Sequence, residues 1–455
     1  MTITVALYSH DSVGLGHARR NRAVAHALAA GLPRITGHRV RGLLIAGHPG
    51  AAADSLPPGW DWMVLPGFSP AVEGYAARHL EMSSARLSRL RRSAVAAALE
   101  SLAPDLFIVD RHPFGIDGEL APSLDQLRLR GTRCVLGLRE VLDSPEAASR
   151  EWSAVGAGAV ADSYDAVWIY GDPRVHDPIA AGEVPRTLAD RTEFTGYLAR
   201  GRPADACSGP ADEDGAHEDA VDEDDGDGAD VLAASAVPSV LTTVGGGADG
   251  GRLAAAAAAA PVPAGHRHLI ITGPQMSRQD HDAVVRAAAE ARRRPGPVGR
   301  VRVQRRSPHL PQLIRDARAV ISMAGYNSAA EILDSTTPAL FVPRSTRRAE
   351  QPRRAAALAA SGAADMLEAA AATPQRLGDW LAEAVSRRTT REHIDRDGLA
   401  RLPGIAARQL RPTTPATTTP TTQTVQTAPH AAHPGRGETA SAPDHRTERI
   451  LDHVR

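Results

Sequence analysis

The stretch TVALYSHDSVGLGHARRNRAVAHAL, residues 4–28, joins a short apolar run to a helix-compatible stretch through a loop that contains Gly14 and Gly16. The apolar run ends near Ser9, and an alanine- and arginine-rich stretch begins near His17. An apolar run of this length followed by a helical pattern is typical of the strand–loop–helix unit from which parallel sheets are built. We therefore expect a β-strand, a glycine loop and an α-helix at the start of the chain.

The same pattern recurs along the chain in two blocks, and it decides the fold class. Short apolar runs separated by helix-compatible sequence predict parallel βα units. They cover residues 4–9, 41–47, 106–110, 133–139 and 166–171 in the first block, and 239–247, 268–273, 301–305, 319–325 and 339–343 in the second. We expect an α/β protein with two doubly wound, Rossmann-like domains, residues 1–202 and 237–410, that face a central cleft. Ligands of such sheets bind beyond the carboxyl ends of the strands, so site residues should follow the strands directly.

Two segments depart from this pattern. Residues 203–236 form an acidic, glycine-rich linker, in which residues 212–230 carry 11 acidic side chains and no arginine, and residues 411–455 form a tail rich in threonine and proline. Such compositions bury too little apolar surface to fold, so both segments are expected to be disordered. A calcium site in the run DEDDGDG is disfavoured, because the closing glutamate and the flanking amphipathic helices of an EF-hand are missing.

The composition excludes several classes of protein. All 52 basic residues are arginine, which excludes lysine Schiff-base chemistry, a pyridoxal-phosphate aldimine and a Walker A loop. Cys134 and Cys207 cannot form a disulfide framework or a thiolate metal site. The formal net charge of −1 argues against a nucleic-acid partner. No apolar stretch reaches the roughly 18 residues of a membrane helix, and no signal-peptide pattern is present, so a cytoplasmic location is expected.

The loop after the first strand is a candidate ligand site. Gly14 and Gly16 allow left-handed backbone and close approach of a ligand, and the helix beside them supplies free amides. His17 lies at that mouth, where an imidazole can exchange a proton near neutral pH. The loop is a poor dinucleotide site, because GLGHAR lacks the third glycine of GxGxxG. A tight turn with a surface histidine is the plain alternative, and spacing alone does not decide between the two.

The second block opens in a similar way. VLTTVGGGADGGRL places Gly245, Gly246 and Gly247 directly after a strand and before a helix. Three consecutive glycines in this position are suited to cradle a phosphate. A flexible turn is the alternative interpretation.

The segment VISMAGYNSAAEIL, residues 320–333, carries the strongest signal. Its strand ends near Met323, Gly325 then turns the chain, and Asn327 or Ser328 is placed to cap the following helix. Glu331 lies one helical turn further on, where a carboxylate can accept hydrogen bonds from ribose hydroxyls.

Polar residues also follow the next strand. ALFVPR ends at Arg344, and Glu350 and Gln351 follow in RRAEQPRR. This pair can hydrogen-bond a polyhydroxylated ligand at the lip of the same cleft. A helix cap with a surface acidic pair is the alternative.

Other strands of the first block end in charged residues. Asp110 ends LFIVD, where a carboxylate would point to the cleft and could orient an acceptor or assist His17. A helix cap or an ion pair with Arg111 is the alternative. Arg139 and Glu140, which end VLGLRE, have the same standing.

His266 and His268 form an HxH pair before a strand. No third ligand is nearby in sequence, so a solvent-facing pair is expected and a metal site is not. No GxSxG elbow and no HExxH motif is present, which weakens the hydrolase classes built on those motifs.

In combination, these motifs resemble those of GT-B glycosyltransferases of family 28, whose best-known member transfers N-acetylglucosamine to form lipid II. More narrowly, SHDxxGLGHxRR at the start and MAGYNxxxEIL near the end resemble a bacterial group of predicted glycosyltransferases. The resemblance covers roughly residues 3–200 and 237–370, including LREVLDSP at 138–145 and ITGP at 271–274.

The resemblance implies a role for each matching residue. His17 would be the catalytic base or acceptor-side group, and Gly14 and Gly16 would line the acceptor and phosphate side. The donor would be held by a larger set: the diphosphate loop Gly245, Gly246 and Gly247; the segment Ser322–Ser328 with Gly325 and Asn327 along the phosphates; Glu331 at the ribose; and Gln351 at the sugar. Because the chain has no lysine, a direct cationic contact to phosphate must come from an arginine such as Arg306 or Arg344. The strand near residues 301–306 would face the base. Arg354 stands where related enzymes often have asparagine.

The function implied is an inverting, metal-independent hexosyltransferase that uses a nucleoside-diphosphate sugar, with uridine diphosphate as the expected carrier and with no cofactor. The acceptor is a glycan, a lipid carrier or a natural product, and a lipid carrier would bring peripheral membrane association. Two alternatives stay open. One is a nucleotide-sugar hydrolase, since the UDP-sugar hydrolase of pseudaminic acid synthesis has a similar GxGHxxR start. The other is a non-catalytic nucleotide-sugar-binding protein.

Overall fold

The computed structural model describes residues 1–10, 14–53, 55–71, 75–203, 237–293, 300–344 and 348–411. Most of the predicted linker and tail, residues 204–236 and 412–455, lies outside the described residues. Within the described ranges the chain forms two large parallel sheets, each flanked by helices, and one small antiparallel hairpin.

The first sheet has seven parallel strands in the order β3-β2-β1-β6-β7-β8-β9. They are β1 Thr2–Ser9, β2 Arg39–Ala46, β3 Trp60–Val64, β6 Leu106–Asp110, β7 Arg133–Arg139, β8 Ala166–Tyr170 and β9 Thr192–Phe194. The hairpin consists of β4 Phe68–Pro70 and β5 Tyr75–Ala77. The helices of this half are α1 Gly16–Thr36, α2 Ser84–Leu102, α3 Ala121–Leu129, α4 Pro145–Val155 and α5 Ala157–Ser163.

The second sheet has six parallel strands in the order β12-β11-β10-β13-β14-β15. They are β10 Ser239–Thr243, β11 Arg267–Ile271, β12 Val301–Gln304, β13 Val320–Ser322, β14 Ala339–Phe341 and β15 Asp365–Met366. The helices are α6 Gly251–Ala258, α7 Arg278–Arg292, α8 Leu310–Asp316, α9 Tyr326–Leu333, α10 Glu350–Ala360, α11 Pro374–Ala384 and α12 Gly398–Gln409. Two doubly wound parallel sheets confirm the predicted fold class.

The ten predicted strands are all present. Nine of them are central in their sheets, where strands are buried on both faces and read as continuous apolar runs, and the tenth, β12, lies at an edge. In β1 every residue from Ile3 to Ser9 is buried. The sequence did not predict the hairpin strands β4 and β5, nor the strands β3, β9 and β15, which lie at the edges of the two large sheets. Edge strands are short and partly exposed, and their sequences lack such runs.

Short polar side chains start several helices, as the preferences for helix N-termini predict. Ser83 accepts a hydrogen bond from the Arg86 amide at the start of α2, and Ser277 accepts one from the Asp280 amide at the start of α7. Across the described ranges, no helix combines the length and the apolar character that crossing a bilayer requires.

The strand order creates a topological switch point in each sheet. In the first sheet the order reverses between β1 and β6, and in the second between β10 and β13. A crevice opens at the carboxyl ends of the strands at such points, and ligands bind there. The loops that begin at His10, Arg111, Val244 and Met323 therefore surround the expected binding region.

The final helix, α12, returns to the first half of the molecule and packs on α1. Gly31 of α1 faces Pro403 of α12 so closely that a β-carbon at Gly31 would overlap the proline ring. One apolar cluster consequently runs from the first sheet through this helix pair into the second sheet. The domain limits of 202 and 237 stay a prediction.

Candidate active site

The glycine loops of the two halves face each other across the switch points. Gln275, in the loop after β11, lies between them: a β-carbon at Gly14 would be 3.4 Å from its Nε2 atom, and one at Gly246 would be 2.6 Å from its Oε1 atom. Gly16 is equally close to the second half, since a β-carbon there would be 3.6 Å from Nδ2 of Asn327. The structure thus brings Gly14, Gly16 and Gly246 together.

The loop of Gly245, Gly246 and Gly247 requires glycine at two positions. Gly245 and Gly247 have φ angles of 65° and 95°, which disfavour other residues. A side chain at Gly247 would also overlap the carbonyl oxygen of Thr272. Gly245 and Gly246 are exposed, and neither backbone amide makes a hydrogen bond within the described residues. Two free amides in a glycine loop are suited to bind an anion.

His17, at the start of α1, lies beside Asp110, at the end of β6. The His17 Nδ1 atom is 3.5 Å from Oδ2 of Asp110, and the imidazole is one-fifth exposed. Asp110 is fully buried, and Arg20 donates to its Oδ1 atom at 2.8 Å and lies 2.6 Å from Oδ2. Burial by itself would raise the pKa of Asp110, but Arg20 and His17 outweigh it and hold the pKa well below its usual range. Asp110 is therefore a carboxylate at neutral pH.

Two further imidazoles accompany His17. The ring of His10, directly after β1, is centred 4.9 Å from that of His17 and 4.1 Å from that of His112, which follows β6. Burial, more than neighbouring charge, lowers the pKa of His10 and of His112 well below the usual histidine value. Both rings are neutral at pH 7. Among the described residues, no cluster of three or more histidine, cysteine or acidic side chains has an arrangement that could hold a metal ion.

The MAGYN segment contacts the first half of the molecule. Gly325 is the N-cap of α9 and no side chain caps this helix, so the predicted capping by Asn327 or Ser328 is wrong. Asn327 instead donates to the Gly16 carbonyl at 2.9 Å, and its Oδ1 accepts a hydrogen bond from Arg202 at 2.7 Å. Ser328 lies in the first turn of α9, and Ser322 is buried inside the sheet as the last residue of β13.

Glu331 lies on α9 with its carboxylate turned toward the first half. Its Oε1 atom is 3.3 Å from Arg19 and 3.4 Å from Arg202. Its Oε2 atom is buried and has no hydrogen-bond partner within the described residues. One carboxylate oxygen is thus engaged in ion pairs, and the other remains able to accept hydrogen bonds.

The predicted residues after β14 are held together by Arg344. Its guanidinium lies 3.1 Å from Asp249 and 3.1 Å from Glu350, and its amide donates to Oε1 of Gln351 at 3.3 Å. The Gln351 amide nitrogen makes no hydrogen bond within the described residues.

Arg306, after β12, is exposed. Burial lowers the pKa of His48, in the loop after β2, and the positive charges of Arg78 and Arg306 lower it further. The charge of Arg306 therefore acts on the first half of the molecule.

The N-terminal turn of α10 is tied to the first half by three ion pairs, which we call the α10 interface. They are Arg139–Glu350 at 2.6 Å, Glu140–Arg354 at 2.7 Å and Glu183–Arg353 at 2.8 Å. Asp143 also accepts a hydrogen bond from the Ala349 amide at 2.8 Å. Arg354 and Glu140 are both fully buried, so the arginine at the position where related enzymes often have asparagine joins the two halves.

The α10 interface is expected to weaken in acid. Burial alone would raise the pKa of Glu350, but Arg139 and three further arginines lower it from 4.5 to about 2. A depressed carboxyl pKa contributes stability above the unfolded value, and this stability is lost as the pH falls from about 4.5 toward 2. The shift corresponds to roughly 3 kcal/mol. Glu350→Gln should therefore have a lower melting temperature than the parent at pH 6, and this difference in melting temperature should shrink steadily toward pH 3. A gap that is constant with pH would contradict this account.

The prediction that His266 and His268 both face solvent is wrong. His268 is fully buried in β11, and its Nε2 atom lies 2.8 Å from the Thr242 hydroxyl. Burial lowers its pKa to about 4. His266 is half-buried, and its Nδ1 atom lies 2.9 Å from the Ala264 carbonyl oxygen. The two residues differ because His266 precedes β11, which begins at Arg267, whereas His268 lies within this strand.

Sequence reasoning missed Gln275, His10 and His112, and it gave Arg20 no role. His10 directly follows β1, and His112 lies two residues after Asp110, the last residue of β6, so the ends of these strands are the signal that could have found both. Gln275 directly follows the ITGP motif at residues 271–274, which is the local signal for it. Arg20 lies one helical turn after His17, so the helical repeat alone places both on one face.

Comparisons with known proteins agree with this architecture. Residues 265–407 match the glycosyltransferase family 28 C-terminal domain, so the predicted resemblance to family 28 is confirmed for this part of the chain. No curated protein sequence matches the chain.

Solved structures share the fold at low identity. MurG from Acinetobacter baumannii is 14% identical, with a TM-score of 0.50, over 89% of this chain and 99% of that one. The glycosyltransferase of kitacinnamycin is 15% identical, with a TM-score of 0.51, over 90% and 99%. A putative UDP-N-acetylglucosamine 2-epimerase from Listeria monocytogenes is 11% identical, with a TM-score of 0.52, over 90% and 96%. The predicted GT-B fold is confirmed.

Proposed function

We propose that this protein is a glycosyltransferase that moves a sugar from a nucleoside-diphosphate sugar, with UDP as the expected carrier, to an acceptor hydroxyl. The observation that carries the proposal is the pairing of His17 and Asp110 in one half with the free amides of Gly245 and Gly246 in the other. A proton acceptor and an anion cradle on opposite sides of one cleft suit the two ends of a group transfer. The family 28 domain at residues 265–407 supports the same class.

In the proposed reaction the acceptor oxygen attacks the anomeric carbon as the bond from that carbon to the diphosphate oxygen breaks. The electron pair of the broken bond leaves with the diphosphate, and in-line displacement inverts the anomeric centre. Nε2 of His17 takes the hydroxyl proton, and the Asp110 carboxylate stabilises the resulting imidazolium. The amides of Gly245 and Gly246, with Arg306, offset the charge that develops on the leaving group. Because these groups offset the negative charge on the leaving diphosphate, the proposed reaction does not require a metal ion.

Donor binding is assigned mainly to the second half. Gln351 has an amide nitrogen able to donate to a sugar hydroxyl, and Glu331 has a carboxylate oxygen able to accept from the ribose. Glu350 is engaged with Arg139 and Arg344, so we assign it to holding Gln351 in place and not to contacting the sugar.

Thermal-shift screening of nucleotides and nucleotide sugars tests the donor class, because a specific ligand stabilises the folded state by mass action. Turnover with the best donor then separates the candidates. Sugar transfer to an acceptor supports the proposal, whereas sugar released into water without an acceptor identifies a hydrolase. Tight nucleotide binding without either product over a broad acceptor panel identifies a binding protein.

Glu331→Ala is expected to weaken binding of the best nucleotide ligand by about 1–3 kcal/mol, the usual loss for a charge-assisted hydrogen bond. Calorimetry measures the effect. Asp334→Ala is the matched control, since Asp334 directly follows α9 and pairs only distantly with Arg200, at 3.8 Å. Equal affinity of the Glu331 variant and the parent would remove Glu331 from the donor site.

A further inference from the structure

Two neighbours of the His17 Nδ1 atom favour opposite protonation states of this nitrogen. The Arg20 Nη2 atom is 3.0 Å away, within hydrogen-bond distance, whereas Oδ2 of Asp110 is 3.5 Å away. A guanidinium has only donors, so Nδ1 accepts the hydrogen bond from Arg20 through its lone pair. The neutral ring then carries its proton on Nε2.

Arg20 is held in this position from both halves of the molecule. Its side chain is 2% exposed, and Asp110 binds it at 2.6 Å. The guanidinium carbon also lies 5.2 Å from the ring centre of Tyr326, at the start of α9. The Tyr326 hydroxyl in turn accepts a hydrogen bond from the Leu198 amide at 3.2 Å. Cation–π contact and ion pairing together fix the direction in which Arg20 donates.

We propose that Arg20 is a positioning residue that sets the tautomer of His17, and that Tyr326 of the second half holds Arg20 in place to do so. A general base must present a lone pair at Nε2 to the acceptor, which requires the proton on Nδ1 and a hydrogen bond from it to Asp110. With Arg20 on Nδ1, His17 presents an N–H to the cleft instead. His17 becomes a base when Arg20 leaves Nδ1 and the ring proton passes, by exchange with water, from Nε2 to Nδ1. The Nδ1–H group then donates a hydrogen bond to the Asp110 carboxylate, which stays ionised. The tautomer assignment does not depend on the proposed function. Only the catalytic consequence of that tautomer rests on the proposed function.

The groups around His17 determine the expected pH response. They come from three elements: Arg20 on α1; His10 after β1; and Asp110, Arg111 and His112 at the end of β6. His10 and His112 are neutral, because burial lowers the pKa of each. Asp110, Arg20 and Arg111 are therefore the charged groups near the His17 ring at neutral pH.

The first test uses no substrate. Nitrogen-15 spectra of the full chain with labelled histidine report which ring nitrogen carries the proton, and His17→Gln identifies the His17 signals by their disappearance. We expect a protonated Nε2 and a bare Nδ1 in the parent at a pH where the ring is neutral. A protonated Nδ1 with a bare Nε2 would overturn the proposal. Because no turnover is involved, this result is separate from success or failure of the proposed transferase activity.

The second test uses variants and the pH profile of turnover. Arg20→Met removes the donor from Nδ1 and the cation from Asp110, so the acidic limb of the profile should move up by about one pH unit. Arg20→Lys, which keeps a cationic donor, should return the limb toward the parent position. Arg22→Gln is the control on the same helix, since Arg22 donates to the Ser55 carbonyl at 2.8 Å. A purely structural role of Arg20 lowers the whole profile and leaves the limb unmoved, which would contradict the proposal. If Arg20→Met does not fold, the nitrogen-15 spectra of the parent still decide which ring nitrogen of His17 carries the proton.

Discussion

His17→Ala is expected to lower turnover by about 10²–10⁴ and to leave nucleotide affinity nearly unchanged. The imidazole lies in the first half, beside Asp110, whereas the nucleotide is assigned to the glycine loop and α9 of the second half. Removal of a positioned base acts on the transition state, and removal of a ground-state contact acts on binding. Steady-state turnover and nucleotide affinity, measured on the same preparation, separate the two effects.

The matched control is His26→Ala. His26 lies on the same helix and contacts the Ser55 carbonyl at 3.3 Å, away from Asp110. The His26→Ala variant should keep the turnover of the parent. A loss of affinity in His17→Ala would instead indicate a phosphate contact, and full turnover would end the catalytic assignment while leaving the fold and the donor site intact.

Arg354→Met is expected to destabilise the protein by about 3–5 kcal/mol, the usual result of leaving one charge of a buried pair uncompensated. Glu140 and Arg354 are fully buried, 2.7 Å apart, and Arg354 also donates to the Ala324 carbonyl at 3.1 Å. The loss should appear as a fall of order 10 °C in the melting temperature. Because the pair joins the two halves, separate melting of each half is a second expected sign.

Arg387→Met provides the control. Arg387 pairs with Asp365 at the same 2.7 Å, but both side chains are more than two-fifths exposed. Exposed pairs contribute about 0–1 kcal/mol. The double variant Glu140→Leu with Arg354→Met should recover most of the lost stability, since it removes both charges from the buried site. A fall for Arg354→Met that is no larger than for Arg387→Met would show that the buried pair does not hold the halves together.

These charges bear on how the donor site is built. Arg354 also lies 5.6 Å from the ring centre of Tyr326, on which Arg20 packs at 5.2 Å. Tyr326 of the MAGYN motif is therefore a shared surface for the arginine beside the candidate base and for the arginine that anchors α10. This arrangement gives Arg354 a structural role at the α10 interface.

Much of the candidate site was predictable, because its residues follow strands whose apolar runs are local in the sequence. His17, Asp110 and Gly245 were identified this way, and the strand order brings their loops to the two switch points. Glycine at a tight turn is also a local property, set by backbone angles such as the φ of 95° at Gly247.

The sequence by itself determined the βα repeats, the two-sheet architecture and the loops from which a site is built, since hydrophobic periodicity and turn chemistry depend on near neighbours. Only the tertiary structure decided the partners. Asn327 bonds the Gly16 carbonyl, Glu331 pairs with Arg19, and Glu350 pairs with Arg139. A buried charge must find a counter-charge wherever packing brings one within reach. Partners some 200–300 residues away are set by how the two halves pack, and no local pattern records that.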